Sequence, residues 1–306
     1  MSGVPLHVVT AIANPARWRS RLRLYEAFEQ HMLASGVELT VVECAYGDEA
    51  HDLVVGPGVR HVKVWAKSHA WIKENLLNIG LSHLPRDWRH VAWIDADITF
   101  RRSDWAAETM HALQHFDVIQ PWEHCYDLGP NGQHLALHHS FGRQWLHDPI
   151  TTEKLGRGYT FAHPGYAWAA TRTALEHLGG LIDHAICGAA DHHMALALVG
   201  KAQVSLPGGI HPNYVKPILA WQERAGRHVC GNLGYLPGTI EHGWHGAKEA
   251  RRYIDRWSIL TRHAYDPERD IKRNTAGVVE LAGNKPGLKR DVWRYFRQRN
   301  EDATTL

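Results

Sequence analysis

Asp95-Ala96-Asp97 and His242-Gly243-Trp244-His245 are two groupings whose side chains could hold a metal ion. The acid pair directly follows Val91-Ala92-Trp93-Ile94, a run apolar enough for a buried strand. Carboxylates at i and i+2 on a strand end point the same way, so both can face one ligand. Unpaired acids in such a place are costly. A hard divalent cation, Mg²⁺ or Mn²⁺, held beside a diphosphate would compensate. An acid pair that merely caps a loop is spelled the same way but leaves the position unexplained. The two imidazoles, three residues apart, can reach one ion and suit Mn²⁺ or Zn²⁺. With 24 histidines in the chain, packed or exposed rings are the competing reading. Asp191 is the third candidate. It follows Gly188-Ala189-Ala190 at the start of a helical stretch, where an ionised carboxylate is favoured and can act as cap, base or both.

The elements that must position these groups are legible in the first hundred residues. Strand signals at 7–11, 39–42, 61–64 and 90–94 alternate with helical periodicity at 20–33 and 71–84. Tyr25, Phe28, Met32 and Leu33 share a face of the first helix, with Ser20 as its expected cap. Strand and helix alternating in this way predict an α/β fold, a mainly parallel sheet with helices on both faces. Ligands of such sheets bind beyond the carboxyl ends of the strands, where Asp95 and Asp97 stand. From Pro121 to Pro149 no period is visible, which predicts a long loop or insertion. Helical character returns at 171–178, 191–199, 251–260 and 290–299.

Composition narrows the class. The 306 residues are 44% hydrophobic and 22% charged, with a formal net charge of only +2, so no polyanionic partner is demanded. The charge is uneven, since residues 246–306 hold 14 Lys and Arg against 9 Asp and Glu. A basic tail of this kind can be a solvated helical face, or can meet nucleic acid or an anionic surface. Four scattered cysteines and the lack of a signal or membrane-spanning stretch lead us to expect a reduced, cytoplasmic setting.

Val91 to Asp97 resembles the DxD strand of GT-A glycosyltransferases, and the best likeness is to the β-1,4-galactosyltransferase-like branch. Pro15-Ala16-Arg17-Trp18-Arg19 is similar to that family's Pro-Phe-Arg-x-Arg segment, which contacts the nucleotide. Trp71-Ile72-Lys73-Glu74-Asn75-Leu76-Leu77-Asn78-Ile79-Gly80 resembles its helix ending Leu-Leu-Asn-Val-Gly, which supports the donor. Gly165 to Gly180, then Gly188 to Asp191, resembles the segment whose Gly-rich turn precedes the catalytic carboxylate. The likeness runs in order through residues 5–250. It departs where His192 and His193 replace further acids, and in lacking the membrane anchor of animal members.

The resemblance implies a GT-A (Rossmann-like) catalytic domain over 1–246, a nucleotide-sugar half to 120 and an acceptor half after it, with 247–306 as a helical basic extension. It implies Mn²⁺ or Mg²⁺ held by Asp97 and His245, with His242, in the position of a family Met, and Asp95 assisting. A nucleoside-diphosphate sugar, expected to be a UDP-sugar, is the implied donor. Its contacts are expected from Thr10, Ala11, Asn14, Arg17, Lys73, Asn75, Asn78, Asp95 and Lys248, with Arg251 and Arg252 near the diphosphate. Asp191 takes the place of the inverting base. Trp122, Tyr126, His139 and Trp168 are candidates to contact the acceptor. That acceptor is a glycan or a modified nucleic-acid base, the latter because Arg290, Arg294, Arg297 and Arg299 interleave with Trp293, Tyr295 and Phe296. A nucleotidyltransferase and a non-catalytic sugar-binding module are the rival readings.

Overall fold

The computed structural model describes residues 5–148, 162–251 and 255–305. Strands β1 (His7–Ala13), β2 (Glu38–Tyr46), β3 (Arg60–Ala66) and β4 (His90–Ile94) begin the main sheet. Helices α1 (Arg19–Ala34) and α2 (Lys73–Ser82) supply two of the crossovers. Strand β1 lies between β2 and β4 and is parallel to both. The chain therefore runs outward from β1 through β2 and β3, then returns to the other side at β4. This reversal opens a crevice at the carboxyl ends of β1 and β4.

Further on come β5 (Ile98–Phe100), β6 (Val118–Gln120), β7 (His124–Leu128), β8 (His134–His139), β9 (Ala167–Thr171), β10 (Leu233–Tyr235) and β11 (Thr239–His242). The main sheet has the order β10-β6-β9-β4-β1-β2-β3. Within it β9 alone is antiparallel to its neighbours. The expected mixed α/β architecture, with a mainly parallel sheet, is what the chain adopts. Its strands are apolar on both sides because both faces are covered. Val9, Val42 and Val91 enter one apolar cluster with Leu76 and Met194. Their neighbours Val8, Val41 and Ala92 enter the opposite one, with Tyr25, Phe28 and Met32.

Two local expectations are corrected. Helix α1 begins at Arg19, and its first amides are bonded by Asp302, to Arg19 N at 3.1 Å and Ser20 N at 2.8 Å, rather than by a Ser20 cap. The stretch 121–149 is not one long loop, because β7 and β8 form an antiparallel hairpin and a helix follows at Phe141–His147. Its strands, His-Cys-Tyr-Asp-Leu and His-Leu-Ala-Leu-His-His, are short and mix polar with apolar residues, and Leu135 and Leu137 face outward, so no sustained apolar alternation marks them. A four-stranded sheet, β5-β11-β7-β8, stands beyond the crevice.

The last helix, Pro286–Gln298, buries Leu288, Val292 and Phe296 in the same cluster as Val9 and Leu76. None of the four cysteines is paired. Among the described residues no helix is long and apolar enough to cross a membrane.

Candidate active site

A cleft of about 430 Å³ opens at the crevice between β1 and β4. Ala11 and Ile12 from β1, Asp95 to Asp97 after β4, and Lys73 and Glu74 at the start of α2 line one part of it. The rest is contributed by much later residues, among them Asp191, His242, His245, Lys248, Arg251, Arg256 and Glu301. Strand register explains how the later ones arrive. In β11, His242 is paired with Ile98 of β5 on one side and with Asp127 of β7 on the other. Ile98 directly follows Asp97, so one strand end delivers His242 to both acids.

Asp97, His242 and His245 converge. His245 Nε2 lies 3.1 Å from Asp97 Oδ2, His242 Nε2 lies 3.5 Å from the same oxygen, and the two ring nitrogens are 3.2 Å apart. Ligand atoms about 2.1 Å from a single ion stand roughly 3.0–3.4 Å from one another. The triangle therefore has the size of a coordination face, with a nitrogen and oxygen donor set that suits Mn²⁺ or Zn²⁺. Asp97 Oδ1 is buried with no hydrogen-bond partner, an arrangement a bound cation would relieve. Among the described residues these three form the one grouping able to share an ion.

Burial pushes the Asp97 carboxyl up, but the facing His242 and His245 overcome this and hold it well below the usual carboxylate range. Burial pushes His242 down, and Asp97 with Asp127 outweighs it, raising the ring to about 9. His242 Nδ1 is 2.8 Å from Asp127 Oδ1. A carboxylate only accepts, so Nδ1 carries the proton and Nε2 turns its lone pair toward Asp97 when the ring is neutral. Asp127 is itself fixed, accepting from His138 Nε2 at 2.7 Å, from Tyr166 Oη at 2.8 Å, and from Lys248. Burial raises its pKa, yet His138 and His242 keep it far below the ordinary range.

The paired acids line one cleft but do not both belong to the cation-competent grouping. Ile98 N bonds Asp95 O at 3.3 Å, so the chain turns here and strand alternation no longer applies. Asp95 instead meets Lys73 Nζ, 2.9 Å away, and stands outside the cation-competent trio. Lys73 also lies 3.7 Å from Glu74. Burial, opposed by Lys73, raises Glu74 to about 7.

Asp191 is the second residue of the Ala190–Leu198 helix, whose cap position is Ala189 at φ +80°. Asp191 is thus not the N-cap, and Oδ1 accepts from His192 N at 2.8 Å. Its carboxyl lines the cleft. Burial raises its pKa, but Lys73 and Arg256 more than compensate, so it is ionised. Gly165 makes room here, because a Cβ on it would fall 3.0 Å from both Asp191 Oδ2 and His163 Cε1.

Of the residues named from sequence, Ala11, Lys73, Asp95, Asp97, Asp191, His242, His245, Lys248 and Arg251 come together in the cleft. Others are committed elsewhere. Thr10 donates to Ile94 O at 2.7 Å, tying β1 to β4. Asn14 bonds both backbone groups of Trp18, and Arg17 pairs with Asp52 on the exterior. Asn75 holds Val279 N and Gly277 O, while Asn78 holds Leu181. Arg252 lies outside the described residues. Trp122 and Trp168 are buried, donating to Ala167 O and Pro164 O. Tyr126 stacks on His134, and His139 packs against His124. None of these four aromatics lines the cleft.

The tail's aromatics are also used internally. Tyr295 and Phe296 are buried, and Trp293 stacks on His69 at 4.2 Å. Arg299 turns inward, over the Trp71 ring. Asp127, His138, His163, Tyr166, Arg21, Arg256 and Glu301 were not singled out from the sequence; Tyr166 lies in the Gly165–Gly180 segment without being marked there, and the others sit in no motif and arrive by tertiary contact. A separate hollow of about 480 Å³ lies among Asp183, Lys216, Glu268 and Arg273. Its charges are satisfied across it, Arg273 to Asp183 at 2.8 Å and Lys216 to Glu268 at 4.0 Å, and it is open to solvent.

No family model and no curated protein matches this chain. Among solved structures it is similar to the catalytic domain of Drosophila beta1,4-galactosyltransferase 7 in complex with xylobiose. The identity is 10%, over 90% of this chain and 92% of that one, at a TM-score of 0.40. A mutant of that enzyme in complex with manganese, UDP-Gal and xylobiose matches at the same score and identity. S. aureus TarS 1-349 in complex with UDP-GlcNAc is also similar, at 10% identity over 80% of this chain and 60% of that one, TM-score 0.40. Likeness at this level assigns no residue role, and the roles proposed below rest on this chain's own geometry.

Proposed function

We propose that this chain is a GT-A type glycosyltransferase, transferring a sugar from a nucleoside-diphosphate sugar to an acceptor hydroxyl with inversion. The observation that carries the reading is the convergence of Asp97, His242 and His245 in the same cleft as Asp191. Asp97, His242 and His245 would hold a divalent ion, Mn²⁺ or Mg²⁺. When bound, such an ion supplies Lewis-acid neutralisation of a pyrophosphate.

Lys248 and Arg251 stand beside the trio and add fixed positive charge toward the phosphates. Asp191, ionised and half-buried in the cleft, accepts the proton of the acceptor hydroxyl. The oxygen forms its bond to the anomeric carbon as the bond to the diphosphate breaks, and the nucleoside diphosphate leaves. One displacement of this kind inverts the centre. The cleft's mixture of acids and bases suits a dianionic pyrophosphate accompanied by a cation rather than a bare polyanion. A UDP-sugar is the donor we expect, with a glycan as acceptor.

The test is a panel of nucleotide sugars with Mn²⁺ and with chelator, read by thermal stabilisation and by release of nucleoside diphosphate. At least one donor should raise Tm by several degrees in a manner that chelator abolishes. Indifference to every donor, with and without metal, would overturn the reading.

A further inference from the structure

Glu301 is 1% exposed, and the chemistry above does not use it. Arg21 donates to both its oxygens, Nε to Oε2 at 2.6 Å and Nη2 to Oε1 at 2.9 Å, and Arg299 Nε donates to Oε1 at 2.6 Å. On its remaining side, Oε2 lies 3.6 Å from His245 Nδ1. Arg251 Nη2 donates to His245 Nε2 at 3.1 Å. Nε2 thus stands between the Arg251 donor and the Asp97 acceptor, 3.1 Å from each, and Nδ1, buried without a hydrogen-bond partner, is the ring nitrogen that faces Glu301.

The segment bearing Glu301 is locked on two sides. Asp302 holds the first amides of α1, and Trp244 Nε1 donates to Ala303 O at 2.6 Å. Gly246, at φ +87°, lets the segment approach so closely that a Cβ there would fall 2.7 Å from Asn300 O. The tail therefore grips the loop that carries His245, from Trp244 to Gly246, and ties it to the start of the chain.

We propose that Glu301 is a positioning residue for the metal ligand His245, and that Arg299 and Glu301 form a wall of the cleft beside the cation site. The inference rests on the reading of Asp97, His242 and His245 as that site. Asp127 plays the matching part for His242, from 2.8 Å. Each imidazole thus has a carboxylate behind it, hydrogen-bonded at His242 and 3.6 Å away at His245, placed to select the tautomer that leaves Nε2 for an ion, an arrangement whose loss commonly weakens metal binding. A buried Glu flanked by two guanidiniums, with its third neighbour a ligand ring, is explained by this role.

The experiment is Mn²⁺ titration of the full chain without nucleotide, by calorimetry and by loss of the free-ion EPR signal, alongside Tm. Glu301→Gln keeps the volume and an oxygen for Arg21, and should raise the Mn²⁺ Kd by about 10- to 100-fold. Asp302→Asn loosens the same segment at α1 without touching His245, and should change Kd less than about threefold. Equal weakening in both variants, or an unchanged Kd in Glu301→Gln, overturns the proposal. Should Glu301→Gln fail to fold, Glu301→Asp decides. Its withdrawn carboxylate should raise Kd, and wild-type affinity would again overturn the idea. A wild-type chain that binds no Mn²⁺ refutes the cation site itself, which is a different outcome.

Discussion

Lys73 Nζ lies 2.9 Å from Asp95 Oδ1, and this contact separates the work of two acids that the sequence presents as a pair. Asp97 turns to the imidazoles and Asp95 to the lysine. Asp97→Asn should therefore weaken Mn²⁺ binding by about 100-fold or more, while Asp95→Asn stays within about tenfold of wild type. Titration calorimetry on the two variants distinguishes this from a site built on both acids. Removing the lysine is a separate matter. Lys73→Met leaves a half-buried carboxylate without its cation and should cost about 1–2 kcal/mol in urea unfolding, less than a fully buried pair would.

Asp191→Asn should lower kcat by about 10²- to 10⁴-fold, the usual contribution of a positioned base. Its Mn²⁺ Kd should stay at the wild-type value, because the side chain is not one of the three cation-competent groups, while Tm should fall modestly as the charge facing Lys73 and Arg256 is lost. The neighbouring Glu74, raised to about 7, is the other carboxyl able to exchange protons near neutrality. If Asp191→Asn keeps its rate while Glu74→Gln loses it, the base has been assigned to the wrong residue.

Stability should fall on acidification below about pH 6.5. Burial lowers the pKa of His184, His192 and His193 from the ordinary 6.5, His192 to about 4. Below 6.5 the unfolded chain takes up protons that the folded chain refuses, so stability is complete above that pH and lost toward the folded values. His192 alone accounts for at most about 2 kcal/mol by pH 5. Calorimetric Tm in chelator should drop by several degrees from pH 7 to 5, and His192→Gln should flatten the slope. A Tm that holds steady over this range would contradict the buried neutral state of these rings.

Gly80 sits where α2 meets the sheet. A Cβ there would fall 2.4 Å from Val9 Cγ1 and 3.0 Å from Val42 Cγ2. Gly80→Ala must push the helix off β1 and β2, and should destabilise the fold by about 1–3 kcal/mol despite its better helix propensity. Because Lys73 opens the same helix, donor affinity should fall with it. Urea denaturation midpoints and donor-induced Tm shifts measure both effects, and a stabilised variant would show that the contact relaxes freely.

The sequence by itself determined the elements that fold from local pattern. β4 at 90–94 ends where the apolar run ends, and α1 and α2 follow the spacing of Tyr25, Phe28 and Met32 or of Ile72, Leu76 and Ile79. It also marked Asp97, His242, His245 and Asp191, because each sits in a short motif at an element's end, where a side chain can reach a crevice. What it could not decide was partnership. The sense in which Asp95 turns depends on one backbone bond, from Ile98 N to Asp95 O, and on a lysine 22 positions upstream.

Asp127 and Glu301 had no motif to announce them. Asp127 reaches His242 through the register of two non-adjacent strands, and Glu301 reaches His245 only once the last helix has packed onto the body of the domain. The basic tail illustrates the same limit. Its composition suits an anionic surface, yet Arg299 faces inward and Phe296 is buried. Periodicity fixes which face of an element is apolar. It carries no information on which distant carboxylate will stand behind a given ring, since that is set by long-range packing and not by neighbours in the chain.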